Sequence, residues 1–174
     1  MSRAVIYTIG HSNHAMTDFL RLLEACAVEL LVDVRSAPYS KFSPHFSKDN
    51  LNFVLKSHGI GYRFAGEFLG GRPETPDLYR NGVVPRGNAD YLSLVDYQAV
   101  AKTSRYRVGI DRLMTLAATR RVAIKCSEAD PDRCHRHHLI AQTLIASDVE
   151  VLHILRDGSI APAQPLVQQT SLLG

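Results

Sequence analysis

The chain has 174 residues, 45% of them hydrophobic and 21% charged, proportions that suit a folded domain and exclude a disordered chain, a collagen-like repeat or a disulfide-stapled miniprotein. Twenty Lys+Arg against 17 Asp+Glu leave a net charge of +3, too weak a balance to name a partner. Three scattered cysteines point to free thiols in a reducing compartment. No apolar run approaches the ~18 residues of a membrane span. Met1-Ser2-Arg3 leads straight into a strand-like run, so the sequence predicts a cytoplasmic protein with no membrane partner.

Val5-Ile6-Tyr7-Thr8-Ile9 is short, apolar and β-branched, and it stops at Gly10-His11. From Thr17 an apolar stripe through Phe19, Leu22, Leu23 and Cys26 has the spacing of one buried helix face. Leu30 to Val34 reads as a second strand. Ser47 is placed to cap a helix with the stripe Leu51, Val54, Leu55 and His58, which Gly59 closes. An extended piece, Ile60 to Phe64, follows. Seven of the 11 glycines fall between residues 59 and 87, and the long segment from Ala65 to Gly87 predicts a binding loop or lid. Asn88 then caps a helix bearing Tyr91, Leu94 and Val95, and another carries Tyr106, Ile110, Leu113 and Ala117. Val122 to Cys126 is a strand, Arg133 to Ala146 a helix and Val149 to Ile154 a last strand. Residues 156–174 read as a turn, or hairpin, and a polar tail.

This alternation predicts a single α/β domain over residues 1–174 with a mostly parallel sheet and helices on both faces. Such sheets hold ligands beyond the carboxyl ends of their strands. The first strand ends in Gly10-His11-Ser12. The second leads into Asp33-Val34-Arg35, and the strand near 124 into Cys126-Ser127-Glu128 and then Arg133-Cys134-His135-Arg136. Few loops gather so many titratable and nucleophilic groups.

These residues carry a resemblance. Tyr7-Thr8-Ile9-Gly10-His11-Ser12, Val32-Asp33-Val34-Arg35 with Pro38 and Ser40, Leu69-Gly70-Gly71, and Cys126-x-Glu128 with Cys134-His135-Arg136 are together similar to the family called domain of unknown function 488. The resemblance spans about residues 5–155. It implies a small soluble prokaryotic α/β protein without an established activity, and it strengthens the site assignment. His137-His138 after Cys-His-Arg is a departure from that pattern.

The residues then divide into candidates. His11, Asp33, Cys126, Glu128 and Cys134 are candidate catalytic groups. Ser12, Arg35, Arg133, His135 and Arg136 are candidate substrate contacts. If Asp132 is the N-cap, Cys134 lies in a first helical turn between two arginines, where a thiolate is favoured. In the competing reading Cys126 is a small buried hydrophobe and Cys134 an incidental helix residue. Cys26 lies on an apolar stripe and belongs to the core. His11 reads as a general base or as a histidine that caps its own loop. Asp33 and Arg35 form a salt bridge, or Arg35 binds an anion that Asp33 helps to orient. His58 and His153 read as structural. Gly70-Gly71-Arg72 lacks the Lys-Ser/Thr of a phosphate loop and reads as a hinge. Six residues separate Cys126 from Arg133 and seven separate Cys126 from Cys134, which excludes the cysteine-phosphatase loop and the thioredoxin-type pair.

Three functions compete. The leading one is a hydrolase or group transferase acting on an anionic, nucleotide-like substrate through Cys134 or His11, with no cofactor. The second is a zinc protein using Cys126, Cys134 and His138, the last two at i, i+4 spacing. The third is a nucleic-acid-binding or regulatory module. It would use the stretch from Lys102 to His138, where nine basic residues face four acids and the remaining chain sums to −2.

Overall fold

Short β-branched runs form the sheet, and the amphipathic segments between them cover it. The computed structural model describes residues 3–167. β1 (Val5–Gly10) leads to α1 (Met16–Ala25), β2 (Leu30–Asp33), a 3-10 turn at Pro44–Phe46, α2 (Lys48–Ser57) and β3 (Gly61–Phe64). α3 (Gly66–Leu69), a turn at Pro76–Leu78, α4 (Tyr91–Leu94), α5 (Tyr97–Lys102) and α6 (Ser104–Ala117) then precede β4 (Val122–Cys126). After a turn at Pro131–Arg133, a π-helical segment (Arg136–Ala141) runs into α7 (Gln142–Ala146), followed by β5 (Glu150–Ile154) and β6 (Ile160–Pro162). The six strands lie in the order β3-β2-β4-β1-β5-β6. β6 is antiparallel to β5, and the other pairings are parallel. This is the mostly parallel α/β architecture predicted by the alternation. Among the described residues no helix is long and apolar enough to cross a membrane.

Right-handed crossovers explain the layers. The steps β1 to β2 to β3 run one way along the sheet, so α1 and α2 cover one face, with Phe19, Leu23, Leu51 and Leu55 packed on Ile9, Leu31 and Ala123. The steps from β3 to β4 and β4 to β5 run the other way. They put Tyr106, Ile110, Leu113 and Leu144 against Ile6, Val32, Val122 and Ile124 on the opposite face. Alternate residues of the central strands serve alternate faces, so these strands read as continuous apolar runs.

Four local expectations change. The single helix predicted from Arg133 is a 3-10 turn capped by Asp130, whose side chain accepts from Asp132 N, then an extended Cys134 (φ −137°, ψ 144°), then the π-helical segment. Pro131 at the start of that turn sets its geometry. Asp90, not Asn88, caps α4. The segment from Ala65 to Gly87 is no free lid, because Tyr79 is buried, bridges to Val95 and donates to Pro73 O at 2.6 Å. Gly70-Gly71 is no hinge either, since a Cβ on Gly71 would lie 2.5 Å from the His135 ring. The turn at Arg156–Ser159 does close a hairpin, between β5 and β6. Most of the polar tail lies outside the described residues.

Candidate active site

Adjacent strands β4 and β1 send their connections in opposite directions, the arrangement that usually opens a ligand crevice between strand ends. Here backbone fills it. His11 N donates to Cys126 O at 3.1 Å and Ser12 N to Ser127 O at 2.7 Å. A Cβ on Gly10 would lie 1.6 Å from Glu128 O, so only glycine fits. The open space lies one strand over, beyond β2 and β4, as a cavity of about 640 Å³. Its wall includes Arg35, Arg72, Tyr91, Tyr97, Cys126, Glu128, Arg133, Cys134 and His135.

Cys126 ends β4 on the face covered by α5 and α6, and the extended backbone at Cys134 turns that side chain back onto it. The two sulfurs lie 2.7 Å apart, and both cysteines are free thiols. His135 completes the group, with Nδ1 3.9 Å from Cys126 Sγ and 3.8 Å from Cys134 Sγ. Its Nε2 lies 3.1 Å from both Val34 O and Leu69 O. Carbonyls only accept, so Nε2 carries a proton, and Nδ1 faces the thiols, as an acceptor in the neutral ring and as a donor to a thiolate in the protonated one. Gly71 provides the room for this ring.

The hydrogen bond donated by the Cys134 thiol lowers the Cys126 pKa well below its ordinary value, against its burial, with His135 and the Arg136 charge helping. Burial and the adjacent Cys126 sulfur push Cys134 well above it. The first helical turn expected around Cys134 is absent, because Cys134 precedes the helical segment in an extended conformation, and the directions of the two shifts favour a thiolate on Cys126 over one on Cys134.

The predicted candidates separate into two groups across the sheet. Arg35, Cys126, Glu128, Arg133, Cys134 and His135 share the cavity. His11 and Asp33 belong to the other face, beside Phe46 and Tyr62. There Arg35 donates from Nε and Nη2 to the two oxygens of Asp33 at 2.9 and 2.7 Å, and from Nη2 to Phe46 O at 2.8 Å. Tyr62 donates to Asp33 Oδ2 at 2.7 Å. Burial opposes the Asp33 charge, but these donors and Lys125 hold its pKa below the ordinary value. The salt-bridge reading of Asp33 and Arg35 thus describes their contact. Lys125 is paired in register with Asp33 and fully buried. Burial lowers its pKa to about 7. His11 is stacked on Phe46, and burial, then Lys125 and Arg35, lower it to about 3. His11 Nδ1, Arg35 Nη1 and Lys125 Nζ have no hydrogen-bond partner among the described residues.

Ser12 and Arg136 lie outside the cavity wall. Ser12 holds the positive φ of 42° that turns the chain after β1. Arg136 is wholly buried and donates to Glu128 O, Ala129 O and Thr8 Oγ1. Thr8 Oγ1, which accepts from Arg136, also lies 2.6 Å from His153 Nδ1, and His153 Nε2 lies 3.1 Å from His137 Nδ1. This buried chain fastens the loop after β4 to β1 and β5. His153 is structural, as expected. His138 Nε2 meets Asp132 O at 2.6 Å and takes no part in the thiol cluster. Among the described residues, the Cys/Cys/His group that could hold a metal ion is Cys126, Cys134 and His135, with ligand atoms all within 4.8 Å of one another.

The match to known families extends beyond isolated motifs. The family model described as Domain of unknown function DUF488 matches residues 15–143. The chain belongs to this family. The match takes in the cavity and the thiol cluster of this DUF488 protein and leaves the Tyr7–Ser12 motif outside. No curated protein and no solved structure matches the chain.

Sequence reasoning passed over Lys125, Tyr62, Arg72 and Tyr97. Lys125 alone carried a usable signal, as a lysine within the apolar run Val122–Cys126 of a central parallel strand. Tyr62 reaches Asp33 from β3, and Arg72 lies over the Tyr91 ring at 4.4 Å. Both contacts join residues far apart along the chain, Tyr62 and Asp33 from neighbouring strands, where no sequence spacing marks them.

Proposed function

We propose that this DUF488 protein is a thiol-dependent hydrolase or group transferase for a small anionic substrate bound in the 640 Å³ cavity. The observation that carries this reading is the contact of Cys126 with the Cys134 thiol at the cavity wall, beneath a His135 Nδ1 free to accept a proton. The Cys126 sulfur attacks an acyl or phosphoryl centre, forming a bond to sulfur as the bond to the leaving group breaks. Water, its proton taken by His135 Nδ1, then releases the bound group. Exposed Arg72 and Arg133 supply the guanidinium contacts for the anion. Arg35 supports the wall through Asp33. Arg72 over the Tyr91 ring at 4.4 Å offers a cation and an aromatic face together, which favours a substrate that carries a ring as well as a charge.

The test is a panel of phosphate- and carboxylate-bearing esters and thioesters incubated with wild type and with Cys126→Ser, read by product release and by intact mass. The expected result is turnover with a covalent adduct on Cys126, abolished in Cys126→Ser. Unchanged turnover in Cys126→Ser refutes the reading.

A second reading rests on the tethering of His135. Metal-bound histidines characteristically donate their other ring N–H to a carbonyl, and His135 has two. Zinc held by Cys126, Cys134 and His135 would leave a position open toward the cavity. One zinc per purified chain, lost in His135→Ala, would put this reading first. The nucleic-acid reading draws less support, because Lys125 and Arg136, two of the nine basic residues between 102 and 138, are fully buried.

A further inference from the structure

We infer that Cys126 and Cys134 form a reversible intramolecular disulfide with a small hydroperoxide as oxidant, making the cavity a two-electron oxidation site. The inference shares the Cys126 sulfur with the proposed reaction but needs none of its substrate.

The geometry carries it. The sulfurs touch at 2.7 Å with nothing between them, and a disulfide needs a separation of about 2.05 Å. Closing that gap takes a small side-chain rotation. The backbone that presents the two residues is already fixed. Arg136 clamps the intervening loop through Glu128 O and Ala129 O, and Asp130 caps the turn before Cys134. The pair is also reachable, since both residues line the open cavity, which has ample room for a hydroperoxide. Cys26, the third free thiol, lies at the end of α1 on the opposite face of the sheet. It has no part in this contact.

The chemistry balances in two steps. The Cys126 thiolate attacks one peroxide oxygen, the O–O bond breaks, and the departing alkoxide or hydroxide takes a proton from solvent. Cys126 is then a sulfenic acid. The Cys134 sulfur next attacks the Cys126 sulfur as its proton passes to His135 Nδ1, 3.8 Å away. The S–O bond breaks, and the leaving hydroxide takes up that proton as water. Together the two thiols lose two electrons and two protons, and one hydroperoxide becomes one alcohol, or water, plus one water. A dithiol reductant reverses the bond by exchange.

The experiment uses the full chain, reduced, desalted and treated with equimolar hydrogen peroxide, then quenched with N-ethylmaleimide under denaturing conditions. Wild type is expected to fall from three maleimide adducts to one, on Cys26, and to recover three after dithiothreitol. Trypsin, cutting after Lys125 and Arg133, should release residues 126–133 linked to residues 134–136. Cys134→Ser should form no such link and should accumulate a Cys126 sulfenic acid that dimedone traps. Three adducts after peroxide, oxidation that begins on Cys134, or a link through Cys26 would each overturn the inference. The wild-type readout holds even if a variant misfolds. Because it measures mass without any substrate, an inactive ester panel with an intact disulfide refutes only the proposed reaction. A missing disulfide with Cys126-dependent turnover refutes only this inference.

Discussion

Lys125 is a costly residue in this fold, and replacing it by methionine should stabilise the protein in a way that depends on pH. Its side chain is fully buried, and its Nζ has no hydrogen-bond partner among the described residues. Asp33, its register partner, is already occupied by Arg35 and Tyr62. Burial lowers the lysine pKa from 10.5 to about 7. In the unfolded chain the amine keeps its ordinary value, so between pH 7 and 10 the unfolded state binds more protons. Wild-type stability therefore rises through that window. At about 1.4 kcal/mol per pKa unit, this ionisation costs the folded protein on the order of 4 kcal/mol at neutral pH and under about 1 kcal/mol near pH 10. Methionine preserves the length and apolar packing of the stem and removes the titration. Urea unfolding of Lys125→Met and wild type at several pH values should show the variant more stable by about 2–4 kcal/mol at pH 7. That advantage should shrink steadily toward pH 10. A variant less stable than wild type at pH 7, or an advantage independent of pH, would refute the reasoning.

Three further outcomes follow from the same contacts. Asp33→Asn leaves Arg35 and Lys125 without a buried countercharge and should cost about 3–5 kcal/mol by urea unfolding. The folded Asp33 pKa is depressed, so this difference should be complete above about pH 4 and decline as pH falls further. Gly71→Ala pushes a methyl to within 2.5 Å of the His135 ring. It should destabilise the fold by about 1–3 kcal/mol in the same assay and shift the His135 signals in NMR spectra. Iodoacetamide should label Cys126 before Cys26 and Cys134, and its rate at Cys126 should fall less from pH 8 to 6 than its rate at Cys26, whose pKa burial raises. Peptide mapping that finds Cys134 labelled first would count against Cys126 as the more acidic thiol of the pair.

The layers of the fold were legible along the chain because hydrophobic period is a local property. Runs such as Leu30–Val34 and Val122–Cys126 are apolar at every position but Asp33 and Lys125, as strands covered on both faces tend to be, and the stripe through Phe19 and Leu23 has a helical period. The same reading put Cys126, Cys134, Arg35 and Glu128 at strand ends, where the cavity lies. Tertiary structure alone decided which strand ends face each other and on which side of the sheet. Strand order set β4 between β2 and β1, a pairing of segments about 90 and 115 residues apart that no local pattern encodes. Strand alternation then sent Lys125 to one face and its neighbour Cys126 to the other. Around Cys134, a proline turn replaced the first turn of the predicted helix, and this rotated His135 toward the thiols and left His138 outside. Spacing predicts contacts only while the backbone stays regular. At this site the backbone departs from regularity, so which side chains meet beside Cys126 depended on the folded chain.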